Sequence, residues 1–307
     1  MSALLGKDGC QVCPRRCSTD RTVVRGVCGA PRGIEVSAVC LHRGEEPPLV
    51  GAEGKGIVNV FFAHCNLHCV FCQNEAISSH DVADDMVHYS TLDAVADRVV
   101  ELLPDSCGLM GLVTPTHYAH LVPSLVQAVH DRGFYPTVVY NCGGYESVET
   151  LKTLEGTVDI YLPDLKYMLP DVALALSHAS DYPQVALDAL REMARQVGRR
   201  LMVCDGTAFR GLMVRHLVLP GMGENTRACI QQVASLLGTG ASLSLMAQYF
   251  PPNDHLPKPL DRCLTDAEYA EAVQCCDEVG LVNVYTQELD AHCAYRPDFS
   301  KKDHPFE

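Results

Sequence analysis

From residue 57 onward the chain alternates short apolar runs with longer stretches whose apolar positions recur every three or four residues. The run 57–62, IVNVFF, follows a glycine-rich approach and reads as a buried strand. Residues 90–103 read as a helix: Ser90 or Thr91 can cap it, and Leu92, Val95, Ala96, Val99 and Leu103 share one face. The same reading gives strands over 109–114, 136–141, 158–162, 212–219, 243–249 and 281–285, with helices over 118–131, 147–154, 183–197 and 224–237. A T-x-x-E capping box at Thr265 and Glu268 opens a last helix that runs to Val279, with Gly280 as its stop. Alternation this regular implies a parallel sheet with helices outside it. No G-x-G-x-x-G follows the first strand, so a parallel (β/α) partial barrel of the α/β class is expected rather than a dinucleotide-binding sheet. In a barrel the chemistry gathers at the C-terminal ends of the strands.

Residues 1–50 lack that rhythm and read as a separate Cys-rich extension ahead of a barrel over 51–307. C-Q-V-C-P-R-R-C followed by Cys28 supplies four thiolates, Cys10, Cys13, Cys17 and Cys28. A segment with so little core of its own can be held together by a metal. Four thiolates suit zinc or an auxiliary iron–sulfur cluster, and equally four reduced thiols in a loop packed on the main domain. Pro47 and Pro48 disfavour a regular helix there. The bland reading of Glu45 and Glu46 is a solvated acidic turn.

Composition narrows the class. At 307 residues, 47% apolar and 20% charged, the chain is globular with a sizeable core. No apolar run is long enough to cross a bilayer, and the N-terminus lacks a signal-peptide core, so a cytoplasmic location is expected. The net charge of -14 argues against a non-specific binder of nucleic acid or of anionic membrane. In a reducing compartment the 16 cysteines suit metal ligation and free thiols better than disulfides. Cys40, Cys107, Cys142, Cys204, Cys229 and Cys263 are expected to pack as small hydrophobes, and Cys275 and Cys276 as core and flank.

The strongest chemical signal lies just past the first strand, in FFAHCNLHCVFCQN. Cys65, Cys69 and Cys72 form a C-x3-C-x2-C run. Three thiolates can hold three irons of a [4Fe–4S] cluster and leave the fourth iron without a protein ligand. Zinc normally takes four protein ligands, which makes a zinc knuckle the poorer fit. The spacing, with Phe71 before the third cysteine, resembles the radical S-adenosylmethionine (SAM) superfamily. Polar residues stand at the ends of the later strands too: VTPTH at 113–117, YNCGGY at 140–145, PDLKY at 163–167, Arg215 and His216, and MAQY at 246–249. With GEEPPL at 44–49 and CPRRC, these runs together are similar to the family described as pyruvate formate-lyase activating enzyme-like.

The resemblance implies roles. Cys65, Cys69 and Cys72 would ligate the cluster, and Phe71 would lie against the SAM adenine. Thr114 and Thr116 would sit near the methionine amine, although the Gly-Gly-Glu run of many relatives is missing here. Asn141 would meet the ribose, Asp164 and Lys166 the SAM carboxylate, and His216 the cofactor. Asp164 and Lys166 read equally as a structural ion pair. The implied reaction is reductive cleavage of SAM to methionine and a 5′-deoxyadenosyl radical, which abstracts hydrogen from a substrate, with activation of a glycyl radical enzyme as one version. The one-electron input implies a low-potential donor such as flavodoxin or ferredoxin. A peptide or partner protein is the expected substrate. The alternative is a non-catalytic iron–sulfur or zinc protein that carries electrons.

Overall fold

The computed structural model describes residues 4–6, 9–289 and 296–306. Its sheet is built from β1 (Val36–His42), β2 (Ile57–Phe62), β3 (Leu109–Val113), β4 (Thr137–Cys142), β5 (Ile160–Pro163), β6 (Met202–Cys204), β7 (Thr207–Leu217), β8 (Ser242–Met246) and β9 (Asn283–Thr286). Across the sheet the order is β9-β8-β7-β5-β4-β3-β2-β1, with β6 hairpinned onto β7. From β2 to β9 every neighbouring pair along that order is parallel, and β1 closes one edge antiparallel to β2. The strands follow one another in chain order without reversing. Right-handed crossovers that always step the same way put all the helices on one face, and the twisted sheet curls its other face inward. That is the expected partial barrel, and it has no reversal of strand order of the dinucleotide-binding kind.

The outer layer is α1 (Pro47–Val50), α2 (Leu92–Leu102), α3 (Val122–His130), α4 (Val148–Lys152), α5 (Pro170–Ser177), α6 (Tyr182–Val197), α7 (Gly223–Leu237) and α8 (Asp266–Glu278), of which α1 is an exception treated below. Thr91 caps α2, Ser147 caps α4, and the Thr265–Glu268 capping box opens α8 as the sequence implied. Strand parity sorts the core. On β2, Val58, Val60 and Phe62 join the large cluster beneath the helices. Ile57 points inward and packs with Leu49, Leu109, Val139, Ile160, Leu162 and Met213 into a plug at the lower end of the barrel.

Several expectations need correction. Pro47 and Pro48 do not prevent a helix; they begin one, since the first helical turn needs no N–H from its opening residues. This α1 turn belongs to the plug, through Leu49. The strand expected at 212 starts at Thr207 and folds back on β6. The helix expected over 118–131 opens as a 3₁₀ turn, Thr116–Leu121, before α3. Helix α5 has no counterpart among the expected elements. The boundary at 50/51 runs through packed structure, because β1 from the N-terminal segment pairs with β2. That segment is not poor in core either: Val12, Ala30, Ile34, Val36 and Val39 are buried in the main cluster. Cys40, Cys142 and Cys229 are buried as expected of small hydrophobes, Cys107 and Cys263 are half-buried, and Cys204 is exposed; Cys275 and Cys276 are both buried, so neither is the expected flank.

Candidate active site

The upper mouth of the barrel opens into a cleft of roughly 1220 Å³, counted out to open solvent. The sequence places this mouth at the strand ends, and the expected residues largely meet there. Cys65, Cys69, Cys72, Phe71, Thr114, Asn141, Asp164 and Lys166 all line the cleft. The cysteines sit on a loop that leaves β2 through His64, a left-handed residue with φ 71°. The His64 ring holds this unusual turn by bonding the Glu35 carboxylate at 2.5 Å and facing the Ser79 carbonyl at 3.2 Å.

Each sulfur has a polar neighbour. The Leu67 N–H donates to Cys65 Sγ at 3.4 Å. The Ser177 hydroxyl donates to Cys69 Sγ at 3.0 Å. Ser78 Oγ lies 3.1 Å from Cys72 Sγ. Burial, reinforced by the neighbouring cysteines, pushes the Cys65 and Cys72 thiols above the ordinary thiol range. Phe71 is wedged edge-on between Tyr167 and Tyr249, with ring centroids 6.4 and 6.3 Å away. Asn66, inside the cysteine run, is tied down by its Nδ2, which donates to the Tyr145 carbonyl at 2.8 Å.

Opposite the cysteines, Lys166 Nζ lies 2.5 Å from Asp164 Oδ2. Burial opposes the lysine charge, but Asp164 and then Cys69 and Cys72 outweigh it and hold its pKa above the ordinary value. Tyr182 fixes this corner: its hydroxyl accepts from the Lys166 N–H and lies 2.9 Å from both the Gly143 and Asp164 carbonyls. Gly144 makes the close approach possible, since it adopts φ 78° and a Cβ there would fall 2.1 Å from the Asp164 oxygen. Thr114 also takes a left-handed backbone, φ 59°, with its N–H on the Asn141 carbonyl at 2.8 Å. A β-branched residue in that region costs on the order of 1–2 kcal/mol, and here it stands on the cleft wall.

Two expected residues lie elsewhere. Thr116 is buried behind the strand ends and donates its hydroxyl to Glu146. His216 faces the helices, because on β7 Met213, Arg215 and Leu217 turn inward while Leu212, Val214 and His216 turn out. Its ring bonds the Leu165 carbonyl and the Thr226 hydroxyl, and burial lowers its pKa. Neither residue lines the cleft. Gln73 and Ser78, to which the sequence reading gave no role, do line it, and so does Glu45. Glu45 and Glu46 are not a solvated turn. They are nearly buried, and both pair with Arg215, at 3.5 and 3.1 Å.

Cys10, Cys13, Cys17 and Cys28 gather around the buried Arg21, whose Nη2 donates to Cys28 Sγ at 3.7 Å. Burial raises the Cys13 thiol to about 12. Among the described residues, no three His, Cys, Asp or Glu side chains converge closely enough to grip one metal ion as they stand.

No protein-family model matches the chain. An uncharacterized protein of Methanocaldococcus jannaschii is 26% identical over 284 residues, 90% of this chain and 76% of that one. Lipoyl synthase of Cutibacterium acnes is 32% identical over 91 residues, 30% of this chain and 27% of that one. Among solved structures, a domain of pyruvate-formate lyase-activating enzyme from Bacteroides vulgatus gives a TM-score of 0.40 at 12% identity, covering 56% of this chain and 92% of that one. Streptococcus suis SuiB bound to precursor peptide SuiA gives 0.48 at 10% identity, with 75% and 48% covered. A spore photoproduct lyase variant gives 0.49 at 14% identity, with 73% and 74% covered. No described helix is long and apolar enough to cross a membrane.

Proposed function

We propose that the chain is a radical SAM enzyme whose Cys65, Cys69 and Cys72 hold a [4Fe–4S] cluster. The observation that carries this reading is the meeting of three soft donors, each with a polar neighbour, with Phe71, Asn141, Asp164 and Lys166 around one cleft at the C-terminal ends of parallel strands. A bound cluster would pass one electron to SAM, whose sulfur–carbon bond breaks to give methionine and a 5′-deoxyadenosyl radical that takes a hydrogen atom from the substrate.

In this reading the chain's own residues bind, orient and shield. The Leu67 amide and the Ser177 hydroxyl stabilise negative charge on the sulfurs that would ligate iron. Lys166, held charged by its neighbours, would pair with the SAM carboxylate, with Asp164 steadying it. Asn141 would meet the ribose, and Phe71, held edge-on by Tyr167 and Tyr249, would lie against the adenine. Thr114, on the cleft wall, would stand beside the methionine end, whereas Thr116 and His216 bond within the fold behind the wall. Identity to a lipoyl synthase over 91 residues accords with this reading. An outside one-electron donor of the flavodoxin or ferredoxin type would supply the cluster, and Cys10, Cys13, Cys17 and Cys28 would hold a second metal centre. A peptide or partner protein, including a glycyl radical enzyme, is the substrate class we favour.

The direct test is spectroscopic. Anaerobically prepared protein should show the broad near-ultraviolet and visible absorption of a [4Fe–4S] cluster, with a component that vanishes when Cys65, Cys69 and Cys72 are replaced together by Ala. A spectrum unchanged by that replacement would remove the assignment.

A further inference from the structure

The cleft does not end at the cysteines. It continues down between the inward faces of the strands to a floor where Glu45, Arg215 and His42 line it. Segment 43–50 builds this floor. It leaves β1 at the lower end of the barrel, and Leu49 drops into the apolar plug beneath. Glu45 then stands on the plug and faces up. Gly111 makes room for the support: a Cβ there would fall 2.0 Å from Asn59 Oδ1, and Asn59 Nδ2 donates to Glu45 Oε1 at 2.9 Å.

We propose that this floor is a subsite for the cationic head of the substrate, a primary ammonium or a guanidinium on an apolar stem. Two carboxylates, Glu45 and Glu46, face one guanidinium, Arg215, in a place nearly closed to water. Their side chains are 9% and 7% exposed, so the surplus negative charge is poorly solvated and favours a cation brought by a ligand. The carboxylates also have acceptor capacity left. Glu45, which lines the cleft, has its Oε2 3.5 Å from Arg215, long for a hydrogen bond; Glu46 stands behind the lining and adds charge, its Oε2 buried with no hydrogen-bond partner among the described residues. His42 does not balance the charge, since burial lowers its pKa and its ring packs 4.1 Å from Phe306. Above the floor the walls are apolar, formed by Phe61, Val113, Leu217, Met246 and Phe306. A stem with a cation at its inner end fits this sequence of surfaces, and its upper end would lie beside the cysteines. The proposal takes from the radical reading only which end of the ligand reacts.

The experiment uses the full chain, prepared anaerobically, and three probes: n-pentylammonium, n-pentanoate and the capped peptide acetyl-Ala-Lys-Ala-amide. Binding is read by saturation-transfer NMR. The ammonium probe should bind and pentanoate should not, a comparison made on the unaltered protein. Glu45→Gln should weaken ammonium binding by about tenfold, the effect of losing one charge-assisted contact. Tighter binding of the peptide than of pentylammonium marks a lysine side chain as the source of the cation, and weaker binding marks a free amine. Pentanoate binding as well as pentylammonium, or pentylammonium binding unchanged in a folded E45Q variant, overturns the subsite. SAM cleavage without substrate is measured in parallel. Its absence alongside selective ammonium binding would sink the radical reading and leave the subsite standing.

Discussion

Arg15 donates from Nη2 to the carbonyl oxygen of Ser177 at 3.1 Å, and the hydroxyl of that same Ser177 donates to the sulfur of Cys69. The guanidinium makes two further bonds, to the Asn66 carbonyl inside the cysteine run and to the His178 carbonyl, and lies 5.2 Å from the centre of the Tyr145 ring. One side chain of the N-terminal segment thus joins the cysteine loop to the end of α5. The segment is a brace for the site as well as a candidate metal holder.

Replacing Arg15 by Ala should loosen the cysteine loop without touching a ligand. Three charge-assisted bonds to carbonyls are lost, worth roughly 1–3 kcal/mol together after discounting for partial exposure. The expected outcome is a lower melting temperature and a smaller iron content after anaerobic reconstitution. Arg15→Lys should recover little, because an ammonium does not span three carbonyls the way the planar fork does. Full iron content in R15A would contradict the brace.

Glu146 gives a pH signature. It is buried beneath the strand ends, accepting from the Thr116 and Tyr140 hydroxyls, and burial lifts its pKa to about 7. Its folded value exceeds its unfolded one, so below about pH 4.5 its contribution is fully present, and stability is lost as pH rises through 7. Glu146→Gln should remove this fall. The difference between the wild-type and variant melting temperatures, measured from pH 4.5 to 8, should shift in the variant's favour as pH rises. A flat difference would show that Glu146 does not titrate in that window.

Gly111→Ala tests the floor of the cleft. The added methyl would collide with the Asn59 amide. Overpacking of this kind costs roughly 1–3 kcal/mol. Measured in an Asn59→Ala background, where the obstructing side chain is gone, the cost of Gly111→Ala should be much smaller, although Asn59→Ala itself destabilises by taking the donor from Glu45 Oε1. Equal stability of G111A and wild type in urea would contradict the packing.

The second metal centre is tested with the protein that lacks Cys65, Cys69 and Cys72. Metal analysis of that folded variant should find residual iron or zinc near one centre per chain, lost when Cys10, Cys13, Cys17 and Cys28 are changed as well. A metal-free, folded triple variant would contradict it.

Much of this architecture is legible in the sequence, for physical reasons. Buried parallel strands need unbroken apolar runs, and IVNVFF or LMGLV announces itself. Capped helices announce their starts, as at Thr91 and Thr265. Helix α5 was harder because Leu174 is exposed while Ser177 is buried, which blurs its face. Strand β6 is exposed along its length and carries no core signal. In the site, the cysteine run and the strand-end residues were visible as local motifs. Parity was not: Met213, Arg215 and Leu217 alternate with Leu212, Val214 and His216, both sets are largely apolar, and nothing local says that His216 turns outward. Arg15 was invisible for another reason, since its partners lie 51 to 163 residues away.

The central claim is that the cleft between the three cysteines and the Asp164–Lys166 pair binds and splits SAM. The measurement is 5′-deoxyadenosine formed from SAM by anaerobically reconstituted protein given a strong one-electron reductant, with Lys166→Ala and the Cys65, Cys69 and Cys72 triple variant alongside. The account requires deoxyadenosine and methionine in equal amounts from the wild type, a large loss in K166A with the cluster spectrum retained, and none from the triple variant. Deoxyadenosine formation by the triple variant at the wild-type rate, or none from a wild type carrying its full cluster, would contradict it.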